Sequence, residues 1–136
     1  MESQQKNNHD NSEKDEIKVW LGTDGIIRAQ LKKTVNEKDV EIVFDRLENL
    51  IRASSGQKDI LININSLSII RSSQFRKRTA ERIITVAKSI GFRKVALFSS
   101  NVIVRTIASF IVAASKISNM KVFANEEEAL TWLKQP

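Results

Sequence analysis

After residue 16 the chain repeats one unit three times: a short, nearly continuous apolar run followed by a segment with apolar residues at helical spacing. This alternation constrains the fold more than any other feature of the sequence. The runs are Ile60-Leu61-Ile62-Asn63-Ile64, Val95-Ala96-Leu97-Phe98 and Met120 to Phe123. Such runs belong to central strands covered on both faces. Phe75, Thr79, Ile83, Val86 and Ile90 set out one amphipathic helix, closed by Gly91. Residues 102–118 form the next, and Asn125 opens a last helix with Glu126, Glu127 and Glu128 in its first turn, where acids complement the positive helix start. Strands alternating with helices pair in parallel through right-handed crossovers.

A hairpin precedes this series. Ile17, Val19 and Leu21 alternate with Lys18 and Trp20, Asp24-Gly25 makes a turn, and Ile27, Ala29 and Leu31 alternate with Arg28 and Gln30. Asn36, with Asp39 three residues on, starts a first helix whose stripe is Val40, Val43, Phe44, Leu47, Leu50 and Ile51, and Ser54-Ser55-Gly56 ends it. The expected architecture is α/β, a mixed five-stranded sheet with four helices in the order ββαβαβαβα. Residues 1–16 contain no large hydrophobe after Met1 and are expected to form a disordered acidic tail, leaving 17–136 as one domain.

The composition excludes several function classes. The chain has 136 residues, no cysteine and a single histidine, His9. Thiolate chemistry, disulfides and Cys- or His-built metal sites are thereby removed. No metal or cofactor is expected. No carboxylate pair converges, and the serines lack a visible general base, so a non-enzyme is expected. An apolar stretch preceded by a basic start is missing at the N-terminus, and the longest apolar stretch, Val102 to Ala114, is broken by Arg105. A cytoplasmic protein without a transmembrane segment is the expectation. The formal charge is +6, and the tail carries five acids and two bases, so residues 17–136 hold twenty bases against eleven acids, a formal +9. There are no tyrosines and Phe75 lies on a buried stripe. With nothing to stack bases, a nucleic-acid partner is not expected.

Ligands and functional loops of open α/β sheets gather beyond the carboxyl ends of the parallel strands. Two loops fall there: Asn65 to Ser73, and Ser99-Ser100-Asn101. With Arg71, Arg76 and Arg105 close by, they are candidates for holding an anionic group. The alternative is that Ser72 and Asn101 are helix N-caps. Arg76, Lys77, Arg78 and Arg82 cluster at the start of the second helix, either as a solvated face or as a docking site for an acidic partner. The 102–118 helix is apolar nearly all round, with only Arg105, Ser109 and Lys116 as a polar stripe. It must bury two faces. Its second face is covered by the last helix through Leu130 and Trp132, or it makes a homodimer contact or an apolar ligand groove.

The element order, together with Ile69-Ile70-Arg71-Ser72-Ser73-Gln74-Phe75 after an apolar strand, resembles the STAS domains of anti-sigma-factor antagonists. The resemblance runs over about residues 17–135. It is closest to a branch of small STAS-like bacterial proteins, through Val19-Trp20-Leu21-Gly22-Thr23-Asp24-Gly25-Ile26 and the ending Val122 to Leu133. The resemblance implies a regulatory module whose protein partner is an anti-sigma-type or kinase protein. Ser72 and Ser73 match the phosphorylated position, and phosphate there controls partner binding. Arg71 stands where the family has Asp, and Gln74 where it has Gly. Arg71 is thus placed to neutralise a phosphate on either serine. Partner or anion binding falls to Arg71, Arg76, Lys77, Arg78, Ser99, Ser100, Asn101 and Arg105. The same branch resembles lipid-carrying CRAL-TRIO-like folds, which implies as an alternative a carrier or sensor of a small apolar or anionic, lipid-like ligand beside helix 102–118.

Overall fold

A computed structural model describes residues 16–31, 36–54, 56–67, 73–89 and 91–136. The order of elements is β1 (Lys18–Leu21), β2 (Ile26–Gln30), α1 (Glu37–Ala53), β3 (Asp59–Asn63), α2 (Ser73–Ser89), β4 (Lys94–Phe98), α3 (Val102–Ser115), β5 (Met120–Phe123) and α4 (Glu126–Leu133). The five strands lie in sequence order across one sheet. β1 is antiparallel to β2, and all other pairs are parallel. The ββαβαβαβα sandwich expected from the sequence is the fold.

The hairpin closes on residues 22–25. The Gly22 N–H donates to the Ile26 carbonyl at 2.8 Å and the Gly25 N–H to the Gly22 carbonyl at 3.0 Å. Gly25 has φ +84, in the region that disfavours side chains. A Cβ on Gly22 would stand 2.4 Å from an Arg28 nitrogen and 2.7 Å from Asp24 Oδ1. Its absence makes room for the two-bonded Asp24–Arg28 pair at 2.8 and 2.9 Å. The Arg28 guanidinium holds the Asp24 carboxyl well below the usual carboxylate range.

Sequential parallel strands joined by crossovers of one hand put every connecting helix on one face. Accordingly Val43, Leu47 and Ile51 of α1, Phe75 and Ile83 of α2, and Val104, Ala108 and Ile111 of α3 share one core with Ile27, Ile60, Val95 and Met120 of the sheet. The alternate strand residues Ile26, Leu61 and Ala96 face the other way, against Ala129 and Leu133 of α4. Ala96, Ala129 and Leu133 are fully buried, so α4 sits close on β4. Arg93 fastens its end, bonding both oxygens of Asp59 at 2.7 Å and the carbonyls of Leu133 and Gln135.

Two expectations about the third helix are corrected. It ends at Ser115 and not at residue 118, because Lys116 turns left-handed (φ 58) with its N–H on the Ala113 carbonyl. Ile117 leaves the helix and packs on the main core, which explains why its spacing suggested continuation. Nor does α4 cover the outer face of α3. The two helices lie on opposite sides of the sheet, and Leu130 and Trp132 pack with Phe98 and Phe123.

Other termini follow their sequence signals. Asn36 Oδ1 accepts from the Asp39 N–H at 2.9 Å while Asp39 Oδ2 accepts from the Asn36 N–H at 3.0 Å, a complete capping box. Asn125 Oδ1 accepts from the Glu128 N–H. The residues expected to form the tail, up to residue 15, and Ile90 of the second helical stripe lie outside the described residues.

Candidate functional site

The register sets Gln30, Asn63, Phe98 and Phe123 side by side, so the parallel strands end together. Beyond this edge the two candidate loops are tied to each other. Asn63 Oδ1 accepts from the Asn65 N–H at 3.0 Å, and Asn65 Oδ1 accepts from the Ser100 N–H at 2.9 Å. Ser99 is completely buried. Its N–H donates to the Phe123 carbonyl, its Oγ accepts from the Asn101 N–H at 3.0 Å, and its carbonyl accepts from Arg105 Nη1 at 2.8 Å. Asn101 Oδ1 accepts from the N–H groups of Ile103 and Val104, capping α3. Ser99 Oγ, Asn101 Oδ1 and Arg105 Nη1 are thus engaged in shaping the loop and starting the helix. Ser100 is exposed at the rim.

The other loop leads into α2. Arg71 and Ser72 lie outside the described residues; Ser73 is the first residue of the helix and is exposed, as are Gln74, Lys77 and Arg78. Arg76 is half-buried. The first turn of α2 contains no acidic residue, so the positive end of the helix dipole is reinforced by cations.

Two arginines of this cluster are committed within the fold. Arg78 donates to Glu37 Oε1 at 2.6 Å. Arg82 donates to Glu41, to Asp45 at 2.8 Å and to Glu48 at 3.3 Å, and its guanidinium stands 5.2 Å from the centre of the Phe44 ring. Burial works against the charge of Arg82, but the carboxylates outweigh it and its pKa is raised. Asp45 and Glu48 lie off the apolar stripe of α1, where helical periodicity alone names no partner for them. The signal for the missed ladder is the spacing of Glu37, Glu41, Asp45 and Glu48 on α1 against Arg78 and Arg82 on α2. Arg76 and Lys77 line a groove on the opposite side, toward α3.

Among the described residues no group of three or more His, Cys, Asp or Glu is arranged to hold a metal ion. No helix among them is long and apolar enough to cross a membrane. A model of the SpoIIAA-like family matches residues 26–134.

The chain belongs to the SpoIIAA-like family. The match covers β2 to α4 and therefore both candidate loops. Membership identifies the domain as a STAS-like module of the anti-sigma-factor-antagonist kind and suggests a regulatory role. Comparison with curated proteins and with solved structures gives no significant match.

Two further features of this SpoIIAA-like domain bear on binding. An apolar cavity of about 100 Å³ lies between the sheet and α1 to α3, lined among others by Leu47, Phe75, Ile83, Ala108, Ile111 and Met120. On the outside, α3 leaves Val102, Ile103 and Phe110 exposed by 62%, 53% and 65%. Phe110 shares a groove with Arg76 and Lys77 of α2.

Proposed function

We propose that this SpoIIAA-like domain is a non-catalytic regulatory module that binds a protein partner through the loop around Ser72 and the first turns of α2. The observation that carries this reading is the start of α2: exposed Ser73, Gln74 and Lys77 at the carboxyl edge of the sheet, with no acidic residue in the first turn. A positive helix start with no acid in its own first turn favours an acidic surface or a phosphate. Arg71 and Arg76 add to that charge, Arg78 shares its own with Glu37, and Ser72 and Ser73 are the modifiable positions. A phosphate of about −1.5 to −2 on Ser73 would lie one helical turn from Lys77 and invert the local charge. Ser99, Ser100, Asn101 and Arg105 form the neighbouring wall that keeps the edge in shape.

The test is affinity purification from the native cells followed by quantitative mass spectrometry, with tagged wild type, Ser73→Asp and Lys77→Glu. The expected result is an acidic-surfaced partner whose recovery falls about tenfold with either substitution, as suits the loss of one charge-assisted contact. Lys88→Glu, at the far end of the same helix, leaves recovery unchanged. Equal recovery with all variants refutes the reading.

The apolar cavity supports a second reading, in which the domain carries or senses a small apolar ligand. Cavities of this kind stay dry and accept small hydrocarbons. The support is for an apolar ligand in particular, since the cavity is lined by hydrophobic residues with Thr79 as the one exception. Native mass spectrometry of freshly purified protein distinguishes this reading by a retained mass that denaturation releases.

A further inference from the structure

The outward face of α3 consists of Val102, Ile103, Thr106, Ser109, Phe110, Ala113 and Ala114, all exposed and none charged. The one charged side chain of the helix, Arg105, folds back to the Ser99 carbonyl. Between this face and α2 runs a groove with Ala80, Ile84 and Ile111 along it, bordered by Phe110 and Ala114 on one side and by Arg76, Lys77 and Glu81 on the other. An exposed aromatic knob therefore stands beside a shallow groove containing small residues. A molecule that carries both the knob and its receptacle on one surface meets the requirement for an isologous pair.

The charges have the same property. α2 and α3 both begin at the carboxyl edge and run back side by side. Lys77 and Glu81 lie one turn apart on α2, and their midpoint falls at Thr79, six residues beyond the helix start at Ser73. Ile103 and Ala114 have their midpoint between Ala108 and Ser109, six to seven residues beyond the start of α3 at Val102. One two-fold axis crossing both helices at this level brings each Lys77 onto the other copy's Glu81. It also brings each Ile103 onto the small Ala114 of the other copy and leaves Phe110 close to the axis, over the opposing groove. We infer that the α2–α3 face holds a second copy of this chain, packed antiparallel about a two-fold axis near Phe110. The inference shares Lys77 with the partner reading; Phe110→Glu and Glu81→Lys, which leave the start of α2 intact, test the two-fold face alone, and Ser73→Asp tests the partner reading alone.

Sedimentation equilibrium of the full chain tests it. The wild type is expected to dimerise reversibly with concentration. Phe110→Glu, at an exposed position where the fold is preserved by circular dichroism, should raise the dimer Kd about thirty-fold or more, as for a central aromatic anchor. Lys77→Glu and Glu81→Lys should each raise it about three- to tenfold, and the double exchange should restore it. A wild type that is monomeric throughout overturns the inference. So does a dimer indifferent to all these substitutions, and so does a monomer that sediments with phosphatidylglycerol vesicles in a Phe110-dependent way. A dimer broken by Phe110→Glu but not rescued by the double exchange overturns the antiparallel register.

Discussion

Ala108 lines the cavity under α1 to α3, whereas Ala96 lies fully buried on the opposite face of the sheet against Ala129 and Leu133. Replacing each in turn by Leu inserts the same three carbon atoms into two different surroundings. A void of about 100 Å³, at about 24 cal/mol per Å³, represents about 2.4 kcal/mol of lost packing. Three buried methylene-sized groups at about 0.8 kcal/mol each offer a gain of the same size. Some strain accompanies any added volume, at about 1 kcal/mol in a favourable site. Ala108→Leu is therefore expected to stabilise the domain by about 1 kcal/mol, and Ala96→Leu to destabilise it by about 2 kcal/mol or more. The assay is urea denaturation followed by far-ultraviolet circular dichroism. With a slope of about 1–3 kcal/mol per molar, Ala108→Leu raises the midpoint by several tenths molar at unchanged slope. A fall of the midpoint for Ala108→Leu comparable to that for Ala96→Leu would show that the interior is filled. That result would remove both the cavity and the apolar-ligand reading. If the ligand reading holds, the same variant loses the mass retained by the wild type.

Other consequences are directly measurable. Arg82→Met should cost about 1–2 kcal/mol, since it leaves Glu41, Asp45 and Glu48 facing one another and removes the cation from the Phe44 ring. The loss should shrink in about 1 M salt, where screening acts over about 3 Å; a salt-independent loss would refute its electrostatic origin. Asn36→Ala should destabilise by about 1 kcal/mol in thermal unfolding, by removing the side-chain half of the capping box. Asp24 has its pKa depressed in the folded state chiefly by the Arg28 hydrogen bond. Its contribution is complete above the unfolded value of about 3.9 and is lost as pH falls below it. The Asp24 carboxylate is 40% exposed, so that contribution stays below about 1 kcal/mol. Wild type and Asp24→Asn should differ in urea stability at pH 6 and converge near pH 2, and a constant difference would contradict the assignment.

The fold was readable because each element announced itself locally. Apolar runs marked the strands buried on both faces, Asp24-Gly25 the hairpin, and the Asn36–Asp39 and Asn125 signals the helix starts. What misled was nonlocal. The spacing of Ile117 continues the helical stripe, and only the left-handed Lys116 shows that the residue reaches the core by another path. α4 follows the last strand of the described sheet and packs on the face opposite α1 to α3, and nothing local in Leu130 or Trp132 indicates which face that is. The basic cluster was visible as composition, but its division required the structure. Arg78 and Arg82 turn to the carboxylates of α1, while Arg76 and Lys77 line the groove toward α3. Residue type marked Ser99, Asn101 and Arg105 as candidates for an anion, but not that Ser99 Oγ, Asn101 Oδ1 and Arg105 Nη1 also shape the loop and cap α3.

The antiparallel setting of β1 has a practical corollary. Lys18 pairs with Gln30, and Gln30 with Asn63. The polypeptide therefore enters the sheet at the rim from which α2 and α3 depart. Its other end is fastened at the opposite rim, where Arg93 and Lys94 hold the carbonyls of Trp132, Leu133 and Gln135. A purification handle or fluorescent reporter fused ahead of residue 16 would hang over the surface on which recognition is to be measured. One fused after Pro136 would be held a whole strand length away. Capture experiments built on the first arrangement would silence the interaction they seek, and immobilisation through the carboxyl-terminal end leaves it open.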